Sequence, residues 1–287
     1  MGRSIAGKIK INSYADLVGG VQDGAVEVPL TELHNFRQHP FRVEDDEKME
    51  ELVQSIKERG VLVPGIVRPS PEGGYEIIAG HRRRHACGKA GLETMPVLIK
   101  KLTDDESILM MVDTNIQRED ILPSEKARAY RMKFEAMKHQ GSKEGGSSLE
   151  ILGKAAGESG KTVQRYISLS DLTDELLELV DIKKIPVRAG VSVSRLLPKE
   201  QEMLEAILKE TNASIVMTQA EKLKELSEKK ELTKTKIREL LSAQKPAPRK
   251  VTLKADSLSR YFSENTSEKE MEETIIRLLD NWIKKKK

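Results

Sequence analysis

The spacing of hydrophobic positions changes several times along the first hundred residues, and each change predicts a different element. An apolar run from Tyr75 to Ala79 is typical of a strand, and Gly80 then permits a sharp turn into a helix that Gly91 ends. Helical spacing predicts a helix over residues 45–59, ended by Gly60. Short apolar runs predict further strands at residues 27–30, 62–68 and 96–99. This mixture indicates an α+β domain over residues 26–120 rather than a regular βαβ repeat.

Beyond this domain the pattern is helical. Pro123 is well placed to begin a helix whose apolar stripe is Ala127, Tyr130, Phe134 and Met137. A short helix to residue 156, a glycine turn and a helix over residues 161–169 predict a helix-turn-helix, and helical spacing continues to residue 241. We therefore expect an all-α domain over residues 121–241.

The second helix of this motif has apolar positions that are expected to pack and polar positions that are expected to contact DNA. Val163 and Ile167 are expected to pack inward. The candidates for contact with base edges and phosphates are Lys161, Thr162, Gln164 and Arg165. A plain helical hairpin remains the alternative for this segment.

The two ends of the chain have their own character. Residues 1–25 are rich in glycine and predict a flexible arm, and residues 242–250 contain Pro-Ala-Pro between lysines, as in a semi-rigid linker. Residues 251–287 predict a strand and a helix with Met271, Ile275, Leu278 and Trp282 at coiled-coil spacing. So short a segment cannot bury that stripe alone, so a second copy or the helical domain must cover it.

Composition narrows the class of protein. Charged residues make up 33% of the chain and aromatic residues 3%, which favours small, helix-rich cores. The net charge is only +3, so any affinity for nucleic acid must come from local patches. A single cysteine, Cys87, excludes an internal disulfide and is expected to be buried. Without an apolar run of membrane length or a signal-peptide core, we expect a cytoplasmic protein with no membrane partner.

A cluster of cations marks the start of the helix after Gly80. Three arginines and two histidines occupy residues 81–85, where the unpaired backbone N–H groups favour an anion. Successive side chains lie about 100° apart on a helix, so one or two arginines could grip phosphate while another pairs elsewhere. A solvated basic helix start is the alternative. His81 and His85 have the i, i+4 spacing of metal ligands, but no third ligand stands at a suitable spacing.

A second polar cluster follows a predicted helix that Thr103 and Glu106 begin as a capping box. This helix has Ile108, Leu109 and Val112 as its expected buried stripe. Asn115 and Glu119 offer oxygen ligands for hydrated Mg²⁺, and Arg118 can clamp phosphate. A polar helix end with local salt bridges would explain the same residues.

These two clusters carry a resemblance to a known family. Residues 80–86 resemble the Gly-Glu-Arg-Arg-x-Arg-Ala box of the ParB family of CTP-binding DNA-segregation proteins, with His81 and His85 as departures. Residues 114–120 resemble the family's Glu-Asn-x-Gln-Arg-Glu-Asp motif, with Thr114 in place of the first Glu. Val63 stands where the family has Gln in its Gly-x-x-Gln-Pro segment. The order of the motifs, followed by a helix-turn-helix, is that of the family, and the resemblance implies a partition protein of the plasmid or mobile-element type.

The resemblance implies a ParB/sulfiredoxin-like nucleotide-binding domain, the helix-turn-helix domain and a small C-terminal strand–helix element that dimerises. It implies binding of CTP with Mg²⁺, a centromere-like double-stranded DNA site, a clamp that slides on DNA, a ParA-type ATPase partner, and association with a nucleoid or plasmid. The nucleotide-binding residues that it implies are Gly80, His81, Arg82, Arg83, Asn115, Arg118 and Glu119, with Asn115 and Glu119 holding the metal.

For hydrolysis of CTP the departure at Thr114 matters, because threonine carries no charge and cannot replace a carboxylate ligand. We expect slow hydrolysis, with Thr114 or the neighbouring Asp113 as the catalytic candidates. The alternatives are a transcriptional regulator of the same fold without turnover, or a phosphotransfer enzyme related to sulfiredoxin. Sulfiredoxin requires a cysteine just before its His-Arg pair, where this chain has Gly80.

Overall fold

A computed structural model describes residues 24–37, 39–118, 120–140, 148–242, 261–263 and 266–286. The chain forms two compact units, residues 1–242 and 243–287. The predicted N-terminal arm up to residue 23 and the predicted linker after residue 242 lie outside the described residues, as do Glu119 and the strand predicted near residue 251.

A mixed sheet of five described strands forms the base of the first unit. The strands are β1 (Val26–Pro29), β2 (Leu33–Asn35), β3 (Gly65–Pro69), β4 (Tyr75–Ala79) and β5 (Thr94–Ile99), and a 3-10 turn over Leu30–Glu32 joins β1 to β2. Their order across the sheet is β1-β5-β3-β4-β2. β1 pairs with β5, and β3 with β4, in the antiparallel sense, whereas β3 with β5 and β2 with β4 are parallel.

Two of the predicted strands differ from the structure. The strand expected at residues 62–68 begins only at Gly65, and Leu62 is 68% exposed because the chain is still in the loop after the first helix. Strand β2 was not predicted, because three residues are too few to display an alternating pattern. Its pairing with β4 at Leu33 opposite Tyr75 is a long-range contact.

Helices α1 (Glu47–Arg59) and α2 (His81–Ala90) pack on one face of this sheet. Asp46 caps α1 by accepting a hydrogen bond from the backbone N–H of Met49 at 2.8 Å. Gly91 ends α2 in the left-handed conformation, as predicted. Cys87 is fully buried between α2 and the sheet, which confirms the prediction for this thiol; burial raises its pKa.

Helix α3 (Asp104–Asn115) begins with the predicted capping box, in which Thr103 and Glu106 bond reciprocally. The predicted buried stripe was partly wrong. Val112 is buried, but Ile108 and Leu109 are only partly buried, and the more deeply buried face of α3 carries Ser107, Met110 and Met111. Its methionines face the next helix as well as the sheet, so two elements rather than one decide which side is covered.

The remaining helices of this unit are α4 (Pro123–His139), α5 (Ser148–Ala156), α6 (Gly160–Leu169), α7 (Asp174–Asp181), α8 (Val187–Val193), α9 (Pro198–Thr211), α10 (Met217–Glu228) and α11 (Lys234–Ser242). One hydrophobic core crosses the predicted domain boundary at residue 120, because Ile66 and Ile78 of the sheet belong to the same cluster as Tyr130 and Leu152. A second cluster fills the bundle formed by α6 to α11. The division into a nucleotide-binding part and a helical part therefore stays a prediction about function, within one compact unit.

Helix α12 (Glu268–Lys286) belongs to the second unit. Ser267 caps it in a box with Glu270, with both hydrogen bonds to the Glu270 carboxylate at 3.0 Å. Leu278 and Trp282 are more than half exposed, as expected for an apolar stripe that its own short segment cannot cover. Among the described helices of both units, none combines the length and the apolar character needed to cross a membrane.

Candidate functional site

The two polar clusters found in the sequence lie on one cleft. It has a volume of about 550 Å³ including its open mouth, and its walls come from the end of β4, the first turn of α2, the end of α3 and the loop after β2. Its lining residues are His39, Phe41, Arg42, Val43, Ala79, Gly80, His81, Arg82, Arg83, Thr114, Asn115 and Arg118. Of the predicted nucleotide-binding residues that are described, all line this cleft.

Gly80 forms the turn that opens the cleft. Its φ of +113° is one that side chains rarely allow, and an added Cβ would lie 3.2 Å from the Cα of Gly65 on the neighbouring strand. Because the backbone here is bare, a ligand can approach the first turn of α2 closely. The N–H groups of that turn, together with the positive end of the helix dipole, suit an oxyanion.

The three successive arginines of α2 point to three different partners. Arg82 donates to both carboxylate oxygens of Asp46, at 2.7 and 3.3 Å. Arg83 donates to the backbone carbonyl of Pro64 at 2.7 Å, and Arg84 to that of Leu30 at 3.3 Å. Arg82 and Arg83 line the cleft, whereas Arg84 does not. An incoming phosphate therefore meets an Arg82 that already holds a carboxylate, and the Arg82 guanidinium keeps the pKa of Asp46 below its usual value.

His81 is not a solvated basic residue, because it is only 8% exposed and its ring lies against that of a second histidine, His39. Burial lowers the pKa of His81 to about 3 and that of His39 to about 4, so both rings are neutral near pH 7. Sequence analysis missed His39, since it lies in a loop some forty residues before His81 and no local pattern marks it. His85 lies outside the cleft, where it contacts Asp45 at 2.8 Å.

The end of α3 brings Thr114, Asn115 and Arg118 to the opposite wall of the cleft. The Asn115 amide donates to the backbone carbonyl of Met111 at 2.8 Å and to the Thr114 hydroxyl at 3.3 Å, which leaves its carbonyl oxygen available. An amide oxygen suits Mg²⁺, which often takes one or two protein ligands and completes its shell with phosphate and water. Asn115 thus fits the metal that the resemblance implies. Over the part of the chain that the structure describes, no three carboxylate, histidine or cysteine residues cluster as metal ligands.

Asp113 faces away from the cleft. Its carboxylate forms an ion pair with Lys133 of α4, and Asp113 is not among the lining residues. Of the two catalytic candidates, only Thr114 lies on the cleft wall, where its hydroxyl donates to the Met111 carbonyl at 3.0 Å. The role of either residue in hydrolysis stays a prediction.

Helix α6 has the exposure expected of a recognition helix. Lys161 and Gln164 are exposed and Arg165 is half-buried, whereas Val163 and Ile167 are buried as predicted. Thr162 is half-buried, and its hydroxyl lies 2.9 Å from that of Ser159, the residue that caps α6. Three of the four DNA-binding candidates can therefore reach a ligand without first breaking the helix cap.

The turn before α6 is held against α4 by a carboxylate. Glu158 accepts hydrogen bonds from the Lys126 ammonium at 2.6 Å and from the Tyr130 hydroxyl at 2.9 Å. Burial and then this carboxylate raise the pKa of Tyr130. The turn also packs closely on α5, because an added Cβ on Gly153 would lie 2.4 Å from the Glu158 carbonyl oxygen. These contacts fix the orientation of α6 relative to the rest of the unit.

Comparison with known proteins supports the resemblance drawn from the motifs. Residues 17–116 match the model of the ParB N-terminal domain. The chain is 33% identical to the chromosome-partitioning protein Spo0J of Thermus thermophilus over 70% of its own length and 71% of that protein. It is 32% identical to the nucleoid occlusion protein of Halalkalibacterium halodurans over 76% of its length and 74% of the relative.

Two solved structures of a ParB protein are also similar to this chain. One is the C-terminally truncated chromosome-partitioning protein ParB from Caulobacter crescentus complexed to the centromeric parS site, with 25% identity, a TM-score of 0.42, and coverage of 71% of this chain and 99% of that one. The same truncated protein complexed with CTP-gamma-S matches with 30% identity and a TM-score of 0.32 over 60% of this chain and 92% of that one. Because it is 33% identical to a ParB-family protein over 71% of that protein's length, this chain belongs to the ParB family.

Proposed function

We propose that the cleft between α2 and α3 binds CTP with Mg²⁺. One observation carries the proposal: residues 80–83 from one nucleotide motif, and residues 114, 115 and 118 from the other, line the same cleft. Four arginines line it, and none of its described lining residues is acidic. Such a cleft concentrates positive charge where a triphosphate would lie.

Each residue has a role in this proposal. The backbone at Gly80, with His81, Arg82 and Arg83, receives the phosphates, and Arg118 clamps them from the other wall. Asn115 and Glu119 hold Mg²⁺, which neutralises phosphate charge. Hydrolysis to CDP and phosphate is slow, because Thr114 supplies a hydroxyl rather than a carboxylate.

Calorimetry tests the site. Wild type should bind CTP with Mg²⁺ more tightly than ATP or GTP. Arg118→Ala should weaken binding by about 1.5–3 kcal/mol, the scale of a lost charged hydrogen bond. Arg59→Ala is the matched control, because Arg59 is an exposed arginine at the end of α1 whose guanidinium contacts Ser55, outside the cleft. Equal CTP affinity in the two variants, or no binding by wild type at millimolar CTP, would contradict the proposal.

The second part of the proposal is that residues 121–241 recognise a centromere-like duplex through α6. Membership of the family and the exposure of Lys161 and Gln164 support it. Arg165→Ala should reduce the dependence of DNA affinity on salt by about one counterion if the guanidinium neutralises a phosphate. Titrations of wild type and variant at several salt concentrations measure this slope, and parallel slopes would remove Arg165 from the interface.

A third part concerns assembly. We propose a homodimer joined through residues 251–287 that closes around DNA when CTP binds and cooperates with a ParA-type ATPase. A closed clamp should stay on circular DNA and run off linear DNA of the same sequence. Equal retention on both forms in the presence of CTP would contradict sliding.

The similarity to nucleoid occlusion proteins favours a second candidate role, in which the same DNA-binding architecture serves nucleoid occlusion rather than partition. Recovery of the bound DNA from cells separates the two. Sites clustered in one region of a replicon favour partition, and sites spread around the chromosome favour occlusion.

A further inference from the structure

Two histidines share the floor of the cleft in an arrangement that the proposed binding residues do not explain. His39 comes from the loop after β2 and His81 is the first residue of α2. Their ring centroids are 3.7 Å apart, with the planes tilted by 38°. The Nε2 atom of each ring is buried and has no hydrogen-bond partner among the described residues. Buried polar atoms without a partner are rare, and two side by side in a ligand cleft indicate a ligand that completes them.

The charges around the pair are positive. Arg82, Arg83 and Arg84 follow on α2, Arg42 is in the same loop as His39, and Arg118 comes from the end of α3. Acidic residues also lie beside these arginines: Asp46 is bonded to Arg82, Asp120 lies near Arg118, and Glu125 accepts a hydrogen bond from the backbone N–H of Arg42 at 2.6 Å. Burial is the first cause that keeps both imidazoles unprotonated, and the positive charges of Arg118 near His39 and Arg84 near His81 add to it.

A neutral imidazole has one N–H donor and one bare nitrogen. The bare nitrogen carries a lone pair, which repels a phosphate oxygen, whereas an imidazolium donates from both nitrogens. A triphosphate in the cleft would bring several negative charges against the pair and offset the surrounding arginines. The protonated form, disfavoured in the free protein, would then be favoured.

We propose that the stacked His39–His81 pair contacts the polyphosphate and takes up one proton when it binds, so that affinity rises as the pH falls. This inference rests on the proposed nucleotide site, in which His81 already has a place, and adds to it the contact from His39 and the proton. The proton comes from solvent and moves to an imidazole nitrogen, and no covalent bond of the ligand changes. Because binding raises the pKa of the pair, the added affinity is present below the pKa in the complex and is lost as the pH rises through it.

Calorimetry in buffers of different ionisation enthalpy measures the proton directly. CTP and inorganic tripolyphosphate, each with Mg²⁺, are titrated into the full chain near pH 7 in a sulfonate buffer and in Tris. The heats observed in the two buffers should differ by the difference between their ionisation enthalpies, multiplied by the about one proton that is taken up. The affinity should rise by up to about tenfold for each unit by which the pH falls. A proton lost by the phosphate itself would have the opposite sign.

Variants assign the proton to the pair. His39→Gln and His81→Gln keep a polar side chain that does not titrate, and each should abolish the uptake. His34→Gln is the control, since His34 is an exposed histidine on β2, outside the cleft, and this variant should retain the uptake. If a cleft variant does not fold, the imidazole carbon-bound proton resonances of wild type give a second measurement. The resonances of the pair should together shift by the equivalent of one imidazolium when tripolyphosphate is added at constant pH.

The outcomes separate this inference from the function on which it rests. Binding with equal heats in both buffers, or uptake that survives in both cleft variants, overturns the inference and leaves the nucleotide site standing. Uptake with tripolyphosphate but no CTP affinity supports the histidine contact and contradicts CTP as the ligand. Absence of binding by either compound overturns both.

Discussion

The close packing of Gly153 in α5 against the turn before α6 yields a sharp prediction. An added Cβ at this position would lie 2.4 Å from the carbonyl oxygen of Glu158, 3.0 Å from the carbonyl carbon of Ser159 and 3.1 Å from the nitrogen of Gly160. All three atoms belong to the backbone, so no side chain can rotate away. The shortest distance is about 1 Å below the 3.4 Å at which ordinary contact begins, so the turn must shift to accept Gly153→Ala.

Overpacking of this kind costs about 1–3 kcal/mol, and the better helix propensity of alanine returns about 1 kcal/mol. We expect Gly153→Ala to lower the free energy of unfolding by up to about 2 kcal/mol. Gly88→Ala is the matched control, because Gly88 is an exposed helical glycine whose added Cβ would meet nothing within 4 Å. That variant should be stabilised by about 0.5–1 kcal/mol.

Urea unfolding of both variants beside wild type measures the two changes. DNA affinity should fall in Gly153→Ala, because the shifted turn carries α6. Equal stabilisation of the two variants would show that α5 and the turn are not in contact, and would remove the packing basis for the position of α6.

Three further predictions concern the other proposals. Ile275→Glu combined with Leu278→Glu places charges on the apolar stripe of α12, so light scattering should report a monomer at concentrations where wild type is a dimer. An unchanged mass would mean that the stripe does not dimerise the chain. Gln164→Ala should reduce discrimination between specific and random DNA by about 1–3 kcal/mol if it reads a base, and equal discrimination in a competition assay would exclude it. Thr114→Glu should speed the release of phosphate from CTP, whereas Asp113→Asn should leave the rate near that of wild type, because Asp113 pairs with Lys133 away from the cleft. A large loss of the hydrolysis rate in Asp113→Asn would restore Asp113 as a catalytic candidate.

Helix ends and caps, which depend on a few neighbouring residues, were well predicted. The end of α1 at Gly60, the end of α2 at Gly91 and the capping box at Thr103 depend on backbone groups next to the side chains that satisfy them. The buried and exposed positions of α6 were also predicted, because its apolar residues follow helical spacing and fall on the covered side, with Val163 and Ile167 buried.

Predictions failed where two or more neighbours decide the outcome. Helix α3 packs between the sheet and α4, so its covered side is wider than a single stripe, and Ile108 and Leu109 lie at its edge rather than at its centre. The short strand β2 exists through its pairing with β4, some forty residues later in the chain. Such pairings are long-range contacts, and their stability comes from packing rather than from local preference.

The candidate site divides in the same way. The sequence by itself determined that two cation-rich and polar clusters exist, that each stands at a helix end, and that they resemble the motifs of one family. Tertiary structure alone decided that they face each other across one cleft, that Arg82 is held by Asp46, and that His39 joins His81. Motif residues are neighbours in the chain and therefore leave a local pattern. The partners that determine their protonation and their position come from distant segments, which are brought together only when the sheet and α1 fold.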